Sequence, residues 1–68
     1  MKLRQNIKII INGKESEAIP FKDFNHAKRW TKEEQEREDK NLVVKWYGRY
    51  SWDIEYLDTK NILKIRFY

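Results

Sequence analysis

Ile7, Ile9 and Ile11 alternate around Lys8, the period-two pattern of a strand with one apolar face, so a first strand is expected over residues 7–11. Asn12-Gly13 follows directly. That dipeptide is the strongest short hairpin signal, because both central residues of a type I′ turn need positive φ. The returning stretch, 14–19, is polar and reads as an exposed edge strand that Pro20 stops. Asp23 then offers an N-cap, and Phe24, Ala27 and Trp30 recur near helical spacing. Thr31-Lys32-Glu33-Glu34 has the form of a capping box. Residues 23–39 therefore predict either one helix or a short turn followed by a second helix capped by Thr31. From Thr31 to Asn41 there is no apolar residue, so this half is expected to stand in solvent. Glu33 with Arg37 and Glu36 with Lys40 form i,i+4 pairs in the favourable order.

The last third reads as a meander. Strands are expected over 42–47, 50–57 and 62–68, with Gly48-Arg49 in one tight turn and Asp58-Thr59-Lys60-Asn61 in the next. Alternation places Trp46, Trp52, Ile54, Leu63, Ile65 and Phe67 toward the helix and in the core. It turns Lys45, Tyr47, Ile62, Lys64, Arg66 and Tyr68 away. The order ββαβββ predicts an α+β domain, a helix on one face of a mainly antiparallel sheet. One domain over 1–68 is expected, made of a hairpin (6–19), a helical segment (23–39) and a three-stranded meander (42–68). Its opening, hairpin then helix, resembles the β-grasp fold of ubiquitin-like proteins in topology, over about half the chain.

Composition limits what such a domain can be. The 68 residues are 40% hydrophobic and 38% charged, with a mean hydropathy of −0.99. This describes a thin core in a chain too short to pair a cofactor domain with a substrate domain. Three Trp, four Tyr and three Phe make the core credible, since disordered chains are poor in aromatics. Zero cysteines exclude disulfides and Cys-type zinc sites, and one histidine cannot make a His-rich one. Ile9-Ile10-Ile11 and Leu42-Val43-Val44 are far too short for a membrane span or a signal-peptide core. The expectation is a mature protein equal to the whole chain and cytoplasmic. Residues with AT-rich codons (Phe, Tyr, Met, Ile, Asn, Lys) number 31 against 10 for Gly, Ala, Arg and Pro, which points to a low-GC bacterium or its phages and plasmids.

Charge adds polarity. The net +4 is uneven: residues 1–14 carry Lys2, Arg4, Lys8 and Lys14 without an acid, whereas 31–40 are locally acidic. Such a field can steer an anionic partner to one side, although a solvated acidic helix and a lysine-rich solubilising surface are the favoured reading of it.

The catalytic inventory is sparse. There is no cysteine nucleophile, glycine-rich phosphate loop or clustered metal-ligand motif. His26, the single histidine, falls on a polar helix flank without an orienting acid and reads as an ordinary surface residue. Asp53 and Glu55 share a strand face, where carboxylates can do acid–base work or hold magnesium. Facing Lys45, Lys64 and Arg66, they are expected instead to make cross-strand ion pairs. No catalytic residue, metal site or cofactor is therefore expected.

Aromatic and basic residues together make the most informative constellation. Tyr47, Arg49, Tyr50, Lys64, Arg66 and Tyr68 form the candidate partner-binding set, on a sheet face and the Tyr47-Gly48-Arg49-Tyr50 tip. Tyr, Trp and Arg are enriched at protein–protein hot spots, and the same residues can stack bases and meet phosphates. Simple cross-strand pairing is the bland alternative. Asp53 and Glu55 interrupt the positive charge that nucleic acid would want. The favoured expectation is a non-catalytic protein-binding module, a phage-type inhibitor or modulator that occludes a partner's surface. In this picture the acidic helix approaches a basic or nucleic-acid-handling partner. The alternative is a small DNA- or RNA-binding protein using the basic hairpin and the Lys/Arg/Tyr face. Any nucleic-acid binding is expected to be weak and non-specific, with dissociation constants on the order of 10⁻⁴–10⁻⁶ M. Open edges and a bare sheet face also permit self-association.

Overall fold

In a computed structural model, described over residues 4–37 and 41–67, one helix packs on a five-stranded antiparallel sheet. The elements are β1 (Gln5–Ile11), β2 (Lys14–Glu17), α1 (Phe24–Glu36), β3 (Leu42–Gly48), β4 (Ser51–Tyr56) and β5 (Asn61–Phe67). The sheet order is β2-β1-β5-β4-β3, a two-layer α+β arrangement. Asn12 (φ 52°) and Gly13 (φ 81°) both take the left-handed conformation that the hairpin needs. The last meander strand, β5, then pairs with β1 and joins the hairpin to the meander, with Ile7 opposite Ile65 on one side and Trp52 opposite Ile65 on the other. β1 and β5 run antiparallel, so the likeness to the β-grasp fold goes no further than its opening order of elements.

Register follows hydrophobic alternation. Ile7, Trp52, Ile54, Leu63, Ile65 and Phe67 lie on the face beneath α1 and form the core with Ala27 of the helix. Trp52 is fully buried, its ring stacked near Phe67 (5.8 Å between centroids) and edge-on to Phe24 (6.0 Å). Two expected inward residues do not reach that interior. Trp46 lies on the helix side but β3 is the outer strand, so one flank of its ring has no neighbouring strand and it remains 48% exposed. Ile11 is exposed at the far end of β1, beyond the helix. The turn after β3 falls on Arg49-Tyr50 rather than Gly48-Arg49. The register shifts between Trp46 and Gly48, and this bulge at Tyr47 uses up one extra residue.

The helix corrects a larger expectation. Asp23 caps it, Oδ1 accepting from the His26 backbone N–H at 2.8 Å. Thr31 is not a second cap. It sits in the middle of one continuous helix, 1% exposed, donating through Oγ1 to the Ala27 carbonyl (2.9 Å) and accepting from Trp52 Nε1 (2.8 Å). A single hydroxyl thereby satisfies the indole N–H that burial of Trp52 would otherwise orphan. Glu34 is also buried, accepting from Tyr56 Oη at 3.1 Å and pairing with Arg37 at 3.2 Å. The half of α1 without apolar residues is therefore packed on the sheet by polar groups with matched partners. Glu38, Asp39 and Lys40, and with them the Glu36–Lys40 pair, lie outside the described residues.

Candidate binding surface

Three surfaces bear on function: the open sheet face, the β3–β4 tip, and the outer edge of β3.

On the open face, sheet register lines up a row of charges of both signs, with Lys64 and Lys8 side by side in it. Asp53 of β4 lies between Lys45 of β3 and Lys64 of β5, and Lys8 of β1 continues the row to Glu17 of β2. Arg66 Nη1 approaches Asp53 Oδ1 at 2.7 Å and donates to the Trp52 and Ile65 carbonyls. Tyr47 covers this pair, its ring 5.1 Å from the guanidinium and its hydroxyl donating to Asp53 Oδ2 at 3.1 Å. Lys45 pairs with Glu55 at 3.3 Å and Lys64 with Glu15 at 3.9 Å. The carboxylates thus make the cross-strand pairs expected of them, and Asp53 is buried in doing so. Arg66 is committed to these neighbours, which leaves it poorly placed to receive phosphates, whereas Lys64 is held only by its long, exposed pair with Glu15.

The tip divides the candidate set. Tyr47 turns to the open face with Arg66 and Asp53, whereas Tyr50 packs on the helix side, 4.8 Å from the Phe24 ring, with the Arg49 guanidinium 5.5 Å over it. Tyr47, Lys64 and Arg66 share one surface, and Arg49 and Tyr50 occupy another. Tyr68 lies outside the described residues. His26 is exposed on α1, its ring edge-on to Phe21. Among the described residues no group of three His, Cys, Asp or Glu side chains could hold a metal ion, and no helix is long and apolar enough to cross a membrane.

The third surface was not legible as a site. β3 forms one border of the sheet, and Val43 (41%), Trp46 (48%) and Tyr47 (64%) are all exposed along it. Beside it runs a groove of about 690 Å³ between α1 and β3, with Trp46 on one wall and Asn25, Lys28, Arg29, Thr31, Lys32 and Gln35 on the other. Trp46 leans on Trp52 at 4.7 Å, which fixes its ring at the groove. Spacing explains the opposite wall, since residues 25, 28, 32 and 35 follow each other by three or four along one helix flank. No glutamate lines this groove, although α1 carries the acidic run. Lys28 lies 5.8 Å over the Phe24 ring, and no carboxylate among the described residues pairs with Lys28, Arg29 or Lys32. The polar stripe was visible in the sequence. Its meeting with an exposed tryptophan required β3 to be the border strand.

Fold and surface define a small α+β two-layer protein whose sheet has one aromatic, unblunted edge. The chain matches no family model, no curated protein and no solved structure.

Proposed function

We propose that this chain is a non-catalytic protein-binding module, a small cytoplasmic inhibitor or modulator that occludes a partner's working surface. The observation that carries the reading is the β3 edge, where Val43 and Tyr47 on the open face and Trp46 on the helix side stand exposed along one strand. Monomeric proteins blunt such edges with charge, proline or short strands, and β3 has seven residues, no proline and one lysine. Exposed aromatics on a preordered backbone are the typical anchors of protein interfaces, because they bury large area with little loss of freedom. The AT-rich coding bias suits a phage or mobile-element gene. It bears on origin and not on mechanism.

A nucleic-acid reading now rests on the groove instead of the sheet face. Lys28, Arg29 and Lys32 beside Trp46 have the makings of a single-strand stacking site. Capture from a lysate of the source cell, with and without nuclease, separates the two. One protein retained through nuclease by the native chain and lost with Trp46→Ala/Tyr47→Ala supports the module. Loss of all captured material on nuclease treatment overturns it.

A further inference from the structure

We infer that the partner presents an acidic, extended segment that adds to β3 as a sixth strand, its carboxylates received by Lys28, Arg29 and Lys32 across the groove from Trp46. The inference rests on the protein-binding reading and names the chemistry of the partner.

Backbone geometry comes first. The Leu57 N–H donates to the Asn41 carbonyl at 2.9 Å. Narrow and wide pairs alternate in antiparallel sheets. Val43 opposite Glu55 and Lys45 opposite Asp53 are therefore the bonded pairs, and the peptide groups of Leu42, Val44 and Trp46 turn outward. This row offers N–H donors and C=O acceptors together. An added polypeptide strand satisfies both kinds, as in strand-addition complexes. A nucleic-acid backbone supplies phosphate acceptors and leaves the outward carbonyls unmatched.

Charge then selects the segment. A strand beside β3 sends alternate side chains to the helix side, where Lys28, Arg29 and Lys32 have no carboxylate partner among the described residues. Carboxylates at those positions gain charge-assisted hydrogen bonds in a shallow, open groove. The intervening side chains meet Val43, Lys45 and Tyr47 on the other face, where Lys45 is already paired with Glu55, which favours apolar residues there. A second copy of this chain is a poor occupant. Two-fold pairing of β3 with itself would bring each Lys28-Arg29-Lys32 wall toward its equivalent, like charge against like. The preferred segment is therefore acidic and apolar by turns, with period two.

The test uses labelled peptides of about ten residues, the length that spans an edge strand with some overhang, read by fluorescence anisotropy. One alternates glutamate with valine and threonine, and a second has the same composition with all glutamates gathered at one end. A third probe is a thymidine oligonucleotide of similar length. The alternating peptide should bind at least about tenfold more tightly than its blocked isomer, and Lys28→Glu/Lys32→Glu should weaken it by about tenfold or more. Both lysines are exposed, so circular dichroism should show that the variant stays folded. Glu15→Lys on the opposite edge should leave the affinity within about twofold. Equal affinity for the two isomers, indifference to the lysine substitutions, or tighter binding of the oligonucleotide than of either peptide overturns the inference. If a nuclease-resistant protein partner is captured equally by Lys28→Glu/Lys32→Glu, the acidic-strand inference fails while the protein-binding reading stands.

Discussion

The two borders of the sheet solve the edge problem in opposite ways. β2 is four residues long and reads Lys-Glu-Ser-Glu, with every side chain exposed. It follows its neighbour β1 through a tight hairpin, and its outer rim is charged and short, the usual protection against unwanted pairing. β3, at the other border, is nearly twice as long and carries Val43, Trp46 and Tyr47 into solvent. The interior supports differ as well. Near β3, buried polar groups tie strands to helix and to each other: Trp52 to Thr31, Tyr56 to Glu34, and Arg66 to Asp53 under Tyr47. Near β2, among the described residues, the side-chain tie is the long, exposed Lys64–Glu15 pair, beside the hairpin's own backbone bonds. An edge kept rigid and unblunted is suited to receive a strand, and an edge that is charged and loosely tied is suited to repel one.

The contrast breaks most decisively at Arg66. Arg66→Ala leaves the Asp53 carboxylate buried without its cation, so stability should fall by about 3 kcal/mol in urea titration. Replacing both partners by apolar residues, Arg66→Met/Asp53→Leu, should recover most of that loss. A loss below about 1 kcal/mol for Arg66→Ala would mean that the pair is as weakly coupled as an exposed one.

Thr31→Val comes next. It keeps the shape but removes the acceptor of the Trp52 indole, and an orphaned buried donor costs roughly 1–3 kcal/mol. Thr31→Ser retains the hydroxyl and should cost less. Equal destabilisation by both would point to lost methyl packing instead of the hydrogen bond.

Alkaline pH probes the third tie. Burial, aided by the hydrogen bond to Glu34 and the nearby carboxylate charge, pushes the Tyr56 hydroxyl up to about 12. The folded chain therefore holds this proton more tightly than the unfolded chain, whose tyrosine titrates near 10. Its contribution is fully present below about pH 10 and is lost as pH rises through about 12. The thermal midpoint of the native chain should fall across that window, and Tyr56→Phe should fall less steeply. Parallel curves would remove Tyr56 from the account.

The smallest effect belongs to the other border. Glu15→Ala should change stability by no more than about 0.5 kcal/mol, and by less still in high salt, where an exposed pair is screened. A larger, salt-resistant loss would show that β2 is held more firmly than its exposure implies.

What the sequence determined was whatever depends on near neighbours. Asn12-Gly13 dictated the hairpin because positive φ is cheap there, Asp23 dictated the helix start, and strict alternation in 50–57 and 62–68 dictated which side chains face α1. The ion pairs of Asp53 and Glu55 also follow from alternation, since opposite charges on one face of adjacent strands must meet. Only the tertiary structure decided the rest. Thr31 and Glu34 look like a capping box and a solvated run, because a polar residue's burial depends on a partner far along the chain, here Trp52 and Tyr56. Tyr47 and Tyr50 look like one cluster, but a bulge and a turn send them to opposite sides of the sheet. The exposure of Trp46, and the groove it shares with Lys28, Arg29 and Lys32, depend on β5 taking the central position and leaving β3 at the border. Strand order is a non-local choice among packings, and alternation reads the same on a border strand as on a central one.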